Sequence, residues 1–187
     1  IGFVNDYQQF VTQCGGSGGC GPMDLDRQFN AGDVLIGGVE LQATYELDLG
    51  HGLTLPLHLA YTFTRASFRT AFSESGDPQL GNVRVGDPVP YVPEHQWSLQ
   101  AGVRHDDWAV NASGTFVSET PELADNSVRT ERYLIVDVTG RYNVLERFDI
   151  TLRLENLTNA QPLVSRRPFG ARPYRPFMVQ VGVEVPL

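Results

Sequence analysis

The sequence predicts an all-β chain, an antiparallel transmembrane β-barrel of about eight strands forming an arc of a larger barrel. Three observations predict it. Apolar and polar residues alternate with period two along eight segments. The connections between segments alternate between short turns and long polar loops. Aromatic residues gather towards the segment ends.

The first segment, Ile1 to about Thr12, has the weakest alternation. In the second, Val39, Leu41, Ala43, Tyr45, Leu47 and Leu49 share one face, and Glu40, Gln42, Thr44, Glu46 and Asp48 the other. The third places Leu53, Leu55, Leu57, Leu59, Tyr61 and Phe63 against Thr54, Pro56, His58, Ala60, Thr62 and Thr64. In the fourth, Trp97, Leu99, Ala101 and Val103 oppose Gln96, Ser98, Gln100 and Arg104. The fifth sets Trp108, Val110, Ala112, Gly114 and Phe116 against Asn111, Ser113 and Thr115. Leu134, Val136, Val138 and Tyr142 then oppose Asp137, Thr139 and Arg141. Phe148, Ile150, Leu152 and Leu154 oppose Asp149, Thr151, Arg153 and Glu155. The last segment sets Phe177, Val179, Val181, Val183, Val185 and Leu187 against Gln180, Gly182 and Glu184.

Short turns fall at Gly50-His51-Gly52, at His105-Asp106-Asp107 and around Asn143 to Glu146. Long polar connections fall near 13–32, 71–93, 119–131 and 158–174. Glycines 37 and 38 read as a strand kink.

Periodicity alone does not say which face is dry. In a soluble sandwich the apolar face packs inward, whereas in a membrane barrel it meets lipid. Segment length favours lipid, because about ten residues at ~3.3 Å each and ~45° tilt span roughly 23 Å. Aromatic placement and the full charges on the polar faces favour it too. Eight strands can close by themselves or belong to a larger barrel. The opening at Ile1, inside a strand and without leader or initiator Met, favours the arc.

The net charge of −8 argues against a nucleic-acid surface, which needs clustered positive charge. All 14 basic residues are arginine. No run is long and apolar enough for a transmembrane helix. Cys14 and Cys20 flank a flexible Gly-Gly-Ser-Gly-Gly spacer. A disulfide is favoured over free thiols and implies an oxidising compartment. A metal site is disfavoured, since two thiolates half-fill a tetrahedral zinc and no His lies nearby in sequence. No cofactor is called for.

Several stretches resemble a known family. Gly37-Gly38-Val39-Glu40-Leu41 is similar to the G-x-E-L strand of TonB-dependent outer-membrane receptors. Val89-Pro90-Tyr91-Val92-Pro93-Glu94-His95-Gln96 resembles their entry into a barrel strand, and Leu154-Glu155-Asn156-Leu157-Thr158-Asn159 their penultimate-strand motif. Pro168 to Phe177 resembles the approach to the last strand. There are two departures. Asn159 stands where the family has Asp, and the chain ends Val185-Pro186-Leu187 where members end in Phe or Trp.

The resemblance covers nearly the whole chain. It implies that residues 1–187 are the C-terminal part of a barrel of about 22 strands, without its plug and N-terminal strands. It further implies the bacterial outer membrane, TonB-coupled import of a ferric chelate, and TonB contact through the missing plug region. Outer-membrane lipid and lipopolysaccharide are the expected surroundings. Segments 89–97 and 166–177 resemble the ferric dicitrate branch. The alternative is a small eight-stranded structural or adhesive barrel without transport.

The candidate ligand residues are outer-loop arginines: Arg129, Arg132, Arg166, Arg167 and Arg172, with Arg175 just beyond. Guanidinium groups grip carboxylates bidentately and suit an anionic iron chelate. The competing reading is binding of lipopolysaccharide phosphate, or pairing with Glu119, Glu122 and Asp125. Lumenal Arg104, Arg141, Arg153, Glu40, Glu155 and Glu184 line a transport path or pair across strands. His58 and Asp137 both face the lumen, but no nucleophile elbow appears, and an enzyme is not expected.

Overall fold

The computed structural model describes residues 1–16, 20–74, 76–144, 147–167 and 170–185. Eight strands form one antiparallel sheet. They are β1 (Gly2–Tyr7), β4 (Val34–Gly50), β5 (Leu53–Phe68), β8 (His95–Arg104), β9 (Trp108–Val117), β10 (Tyr133–Val144), β11 (Phe148–Glu155) and β14 (Met178–Glu184). Their order in the sheet is their order in the chain, with β1 and β14 at the two edges. Among the described residues the sheet is an open arc, not a small closed barrel.

The remaining strands lie in the long connections. β2 (Val11–Gln13) pairs with β3 (Gln28–Asn30), β6 (Phe72–Glu74) with β7 (Gly81–Val83), and β12 (Leu163–Ser165) with β13 (Arg172–Pro173). The connection 119–131 is closed by a bridge between Pro121 and Arg129. All four long loops are therefore hairpins. The expected first segment divides at Gln9, whose φ of 54° breaks the strand, so Val11 and Thr12 leave the large sheet and pair with β3.

Cross-strand pairing keeps the faces in register. Tyr45 faces Leu57, Leu57 faces Ala101, Ala101 faces Ala112, Ala112 faces Val138, Val138 faces Leu154, and Leu154 faces Val179. This apolar row crosses seven strands without a slip, as a one-face burial requirement demands. The parallel polar row runs Thr44, His58, Gln100, Ser113 and Asp137.

Among the described residues none packs over the apolar face. Leu41, Leu99, Leu152 and Val181 are exposed, the last at 71%. They do not converge in a shared dry centre. A face of this size bare of protein is the lipid-facing surface of a barrel wall. Aromatics mark both of its margins. Trp97 stacks on Phe116 at 5.7 Å, and His95 lies against Tyr61 and Phe63, near the long loops. Trp108 pairs with Tyr142 near the short turns.

The short turns are tight. Gly50, His51 and Gly52 all have positive φ, at 76°, 54° and 75°. The turn after Asn143 includes Leu145 and Glu146, which lie outside the described residues, as do Pro168, Pro186 and Leu187 of the motifs above. Gly37 and Gly38 form no bulge: both stay paired to β1 and β5 in unbroken register. Gly38 is needed for close approach, because a Cβ there would collide with the Phe63 carbonyl oxygen.

The protein's own core lies at the long-loop end. Ala31, Val34, Phe68, Val83 and Ala124 form one buried cluster. Val34 and Phe68 belong to strands β4 and β5 but point to the lumenal side, in phase with Glu40 and Thr62. The loops supplying Ala31, Val83 and Ala124 therefore fold over the lumenal side of the wall.

Candidate functional site

The candidate site is the outer mouth, where these loops meet. Its framework comes from backbone groups seeking partners once they leave the sheet. Tyr91 N–H donates to Pro121 O at 2.8 Å, and Ala124 N–H to Gln79 O at 3.1 Å. Glu131 N–H donates to Leu163 O at 3.0 Å, and the Glu131 carboxylate accepts from Leu163 N–H at 2.9 Å. The loops 71–93, 119–131 and 158–174 are thus bonded to one another.

At their junction sits Glu122, 2% exposed. A buried carboxylate needs a cation and hydrogen bonds to remain charged. Arg166 donates to its Oε1, and the Tyr91 hydroxyl donates to its Oε2 at 3.2 Å. The same Arg166 group donates to Arg129 O at 2.8 Å. Burial pushes the Tyr91 phenol above its ordinary value, the Glu122 charge adding and the Ser165 contact opposing, so it remains a donor. In the same loop the Ser127 hydroxyl and amide donate to Asp125 and hold its carboxyl below the ordinary value.

The five candidate arginines part company here. Arg129 is held by Glu119 at 2.6 Å and by Asn126 at 2.7 Å. Arg166 is held by Glu122. For these two the pairing reading describes what the structure contains. Arg132 and Arg172 are exposed, and neither side chain has an acid partner among the described residues. Arg167 is half-buried and its carbonyl accepts from Ser165 Oγ at 3.0 Å. Arg175 meets Glu155 at 2.9 Å and lies over the Tyr174 ring.

The lumenal charges pair as well: Arg104 with Glu46 at 3.0 Å, Arg141 with Asp149 at 3.0 Å, and Arg153 with Glu155 at 3.1 Å. His58 Nδ1 lies 3.0 Å from Thr44 Oγ1, and Asp137 accepts from Asn156 N–H at 2.7 Å. Neither His58 nor Asp137 is engaged with the other, so no acid–base pair forms. Cys14 and Cys20 are joined as a disulfide with Cα atoms 5.9 Å apart. Their thiols are therefore not metal ligands. Cys14 is fully buried, and its sulfur packs 3.2 Å from Gly76 O of loop 71–93.

The segment after β11 was legible as a motif but not as a device. Asn156 is wholly buried, with φ 52°. Its Nδ2 donates to Ala160 O at 2.8 Å and Arg175 O at 2.7 Å, and its Oδ1 accepts from Ala160 N–H and the Thr158 hydroxyl, each at 3.1 Å. Asn159 Oδ1 accepts from Phe177 N–H at 3.0 Å. The two asparagines fasten the loop to the approach of β14.

The model of the TonB-dependent receptor-like β-barrel matches residues 2–157. The chain belongs to the TonB-dependent receptor family. Members are transporters rather than enzymes, and they reside in the bacterial outer membrane, so the bare apolar face is a lipid face.

Among solved structures, the siderophore receptor PiuA of Acinetobacter baumannii matches with a TM-score of 0.69 and 17% identity, over 96% of this chain and 24% of that one. The pyoverdine receptor FpvA of Pseudomonas aeruginosa PAO1 matches at 0.66 and 12%, over 100% and 26%. The ferric yersiniabactin uptake receptor FyuA of Yersinia pestis matches at 0.64 and 19%, over 86% and 25%. The chain spans about a quarter of each. Among curated proteins, none matches in sequence.

Proposed function

We propose that this receptor barrel imports an anionic ferric chelate, a siderophore or iron citrate, by TonB-coupled transport. Residues 1–187 then supply eight strands and four outer loops of the C-terminal part of a barrel of about 22 strands. The plug and its TonB contact belong to other parts of the receptor. The cargo class is supported by the solved structures that share this fold, a siderophore receptor and receptors for pyoverdine and ferric yersiniabactin.

The observation that carries the reading is the mouth itself. Bonded loops fold over the lumenal side and present arginine, and two of the acids among them, Glu119 and Glu122, are paired with Arg129 and Arg166. Arg172 is exposed, with no acid partner among the described residues, and is open to an incoming anion. Arg129 and Arg166 hold the loops, and Arg172 meets the chelate.

The test is growth of a strain lacking the gene, complemented with the full-length receptor, on single iron sources. Loss of growth on one chelate without complementation is expected. The R172A variant lowers uptake of that chelate about tenfold, the worth of one charge-assisted hydrogen bond. Equal growth on every iron source, with and without the receptor, removes the iron assignment.

A further inference from the structure

We infer that Cys14, Cys20 and Asp77 form a redox-gated site for Zn²⁺, shut by the disulfide and opened when that bond is reduced. The two sulfurs and a carboxylate oxygen of Asp77 all lie within 4.8 Å of one another. While the disulfide stands, neither sulfur is a thiolate, the form that binds metal. Once it is broken, two thiols and a carboxylate face one point, and two sulfurs with one oxygen suit zinc. The Gly76 carbonyl oxygen, 3.2 Å from the Cys14 sulfur, adds a further oxygen at the edge of the group. Asp77 comes from a different loop than the cysteines, which is why their spacing alone left a tetrahedral zinc half filled.

The framework that opposes these groups does not depend on the disulfide. Cys14 follows β2, where its N–H donates to Arg27 O and its carbonyl accepts from Asp26 N–H, each at 2.9 Å. Asp77 stands in the turn between β6 and β7, where its carbonyl accepts from Gly81 N–H at 2.8 Å. Its Oδ1 accepts from the Gln79 and Leu80 amides at 2.8 and 3.1 Å. Such hydrogen bonds fix the orientation of a metal-binding carboxylate. The two loops interlock at Gly76, where a Cβ would collide with Asp24 and Arg27. Two sulfurs sharing a tetrahedral zinc stand roughly 3.8 Å apart, each ~2.3 Å from the metal. The cysteine Cα atoms are 5.9 Å apart, so side-chain rotation reaches that geometry without moving the backbone.

Burial supplies the demand for a cation. Cys14 is 0% and Asp77 5% exposed. Two thiolates beside a buried carboxylate would gather three negative charges away from water, so without metal the thiols keep their protons. A dication relieves that repulsion and releases two protons as it binds. The reductant is a small thiol. Its thiolate attacks the sulfur of Cys20, which is half-buried, whereas Cys14 is enclosed. The Cys14–Cys20 bond breaks, and its electron pair and a proton go to the Cys14 sulfur. A second small thiol attacks the mixed disulfide at the small-molecule sulfur and frees Cys20 as a thiol. Two small thiols thus become one small disulfide as the protein gains two electrons and two protons. The inference is independent of the import reading.

The test uses the full-length receptor in detergent, reduced with 2-mercaptoethanol, desalted without oxygen and titrated with Zn²⁺ against a chromophoric chelator. The oxidised receptor is titrated alongside. Reduction adds one Zn²⁺ per chain, and the C14S/C20S double variant, treated in the same way, lacks the added ion. D77N keeps the oxygen that accepts the Gln79 and Leu80 amides but loses the charge, and it lowers affinity for the added ion on the order of a hundredfold. Asp125, in another loop, serves as the control, and D125N binds as the parent does. Co²⁺ in place of Zn²⁺ gives the reduced receptor an intense sulfur-to-cobalt charge-transfer band. Thermal unfolding of each variant confirms that it is folded. Equal zinc binding before and after reduction overturns the proposal. So does parental affinity in D77N, which would mark a plain dithiol, or Co²⁺ binding without the charge-transfer band, which would mark surface acids. A disulfide that the thiol leaves intact in the folded receptor overturns it too.

Discussion

Replacing Asn156 with alanine tests the fastening at the outer end of β11. The side chain makes four hydrogen bonds in a fully buried position, two as donor and two as acceptor. Alanine leaves the carbonyls of Ala160 and Arg175 and the amide of Ala160 without this partner. At roughly 1 kcal/mol for each orphaned group the loss is about 3 kcal/mol. The backbone adds to it. At φ 52° asparagine is tolerated, whereas alanine costs a further ~1 kcal/mol. The expected total is about 4 kcal/mol, and Asn156→Gly, which relieves the backbone but restores no hydrogen bond, should lose about 3 kcal/mol. Guanidinium unfolding of the full-length receptor in detergent, followed by tryptophan fluorescence, reads both. If Asn156→Ala unfolds within ~1 kcal/mol of the parent, the asparagine is not a fastening and the reasoning fails.

Arg166→Ala strands the buried Glu122 carboxylate and should weaken the loop junction by about 3 kcal/mol, seen as faster amide exchange across residues 119–131 and 163–165; unchanged exchange contradicts the pairing. Val181→Arg puts a charge on the lipid face at mid-strand, opposite Leu152, and should cost about 2–4 kcal/mol in folding into lipid vesicles; a neutral result would mean that this face does not meet hydrocarbon. The turn at Asp125 gives a pH dependence. Its carboxyl is depressed by the Ser127 hydrogen bonds, so its contribution is present above the ordinary carboxylate value and is lost as pH falls through the lower folded value. Exchange of the Ser127 amide should accelerate only in that acid window, and Asp125→Asn should abolish the dependence.

The eight sheet strands were legible because a wall with one lipid face must alternate at every position, and a single slip would expose charge to hydrocarbon. The loop hairpins were not. A ladder of two or three residues, such as Leu163–Ser165 on Arg172–Pro173, is too short to carry a period. The mouth was half legible. Arginines and acids were visible as composition, but which acid holds which arginine depends on loops brought together from 31 to 44 residues away in sequence, as in Tyr91–Glu122 and Arg166–Glu122. The Asn156 device was visible only as a motif, since its partners include the distant Arg175 carbonyl.

The sharpest departure from the alternation rule lies where β4 and β5 rise above the membrane. Val34 and Phe68 occupy the lumenal phase, which lower on the same strands holds Glu40 and Thr62. A polar lumenal face requires water, so apolar residues in that phase require that water be displaced. The loops displace it: Ala31, Val83 and Ala124 come from three different connections and close on Val34 and Phe68. The reversal of polarity thus records, in two strands, the level at which the lumen stops being a channel wall and becomes a seat for folded loops. Loop 158–174, which carries Arg172, is fastened to this seat through the Glu131–Leu163 hydrogen bonds and the buried Arg166–Glu122 pair, so a guanidinium presented there is pre-oriented and loses less entropy on meeting an anion than one on a free loop would.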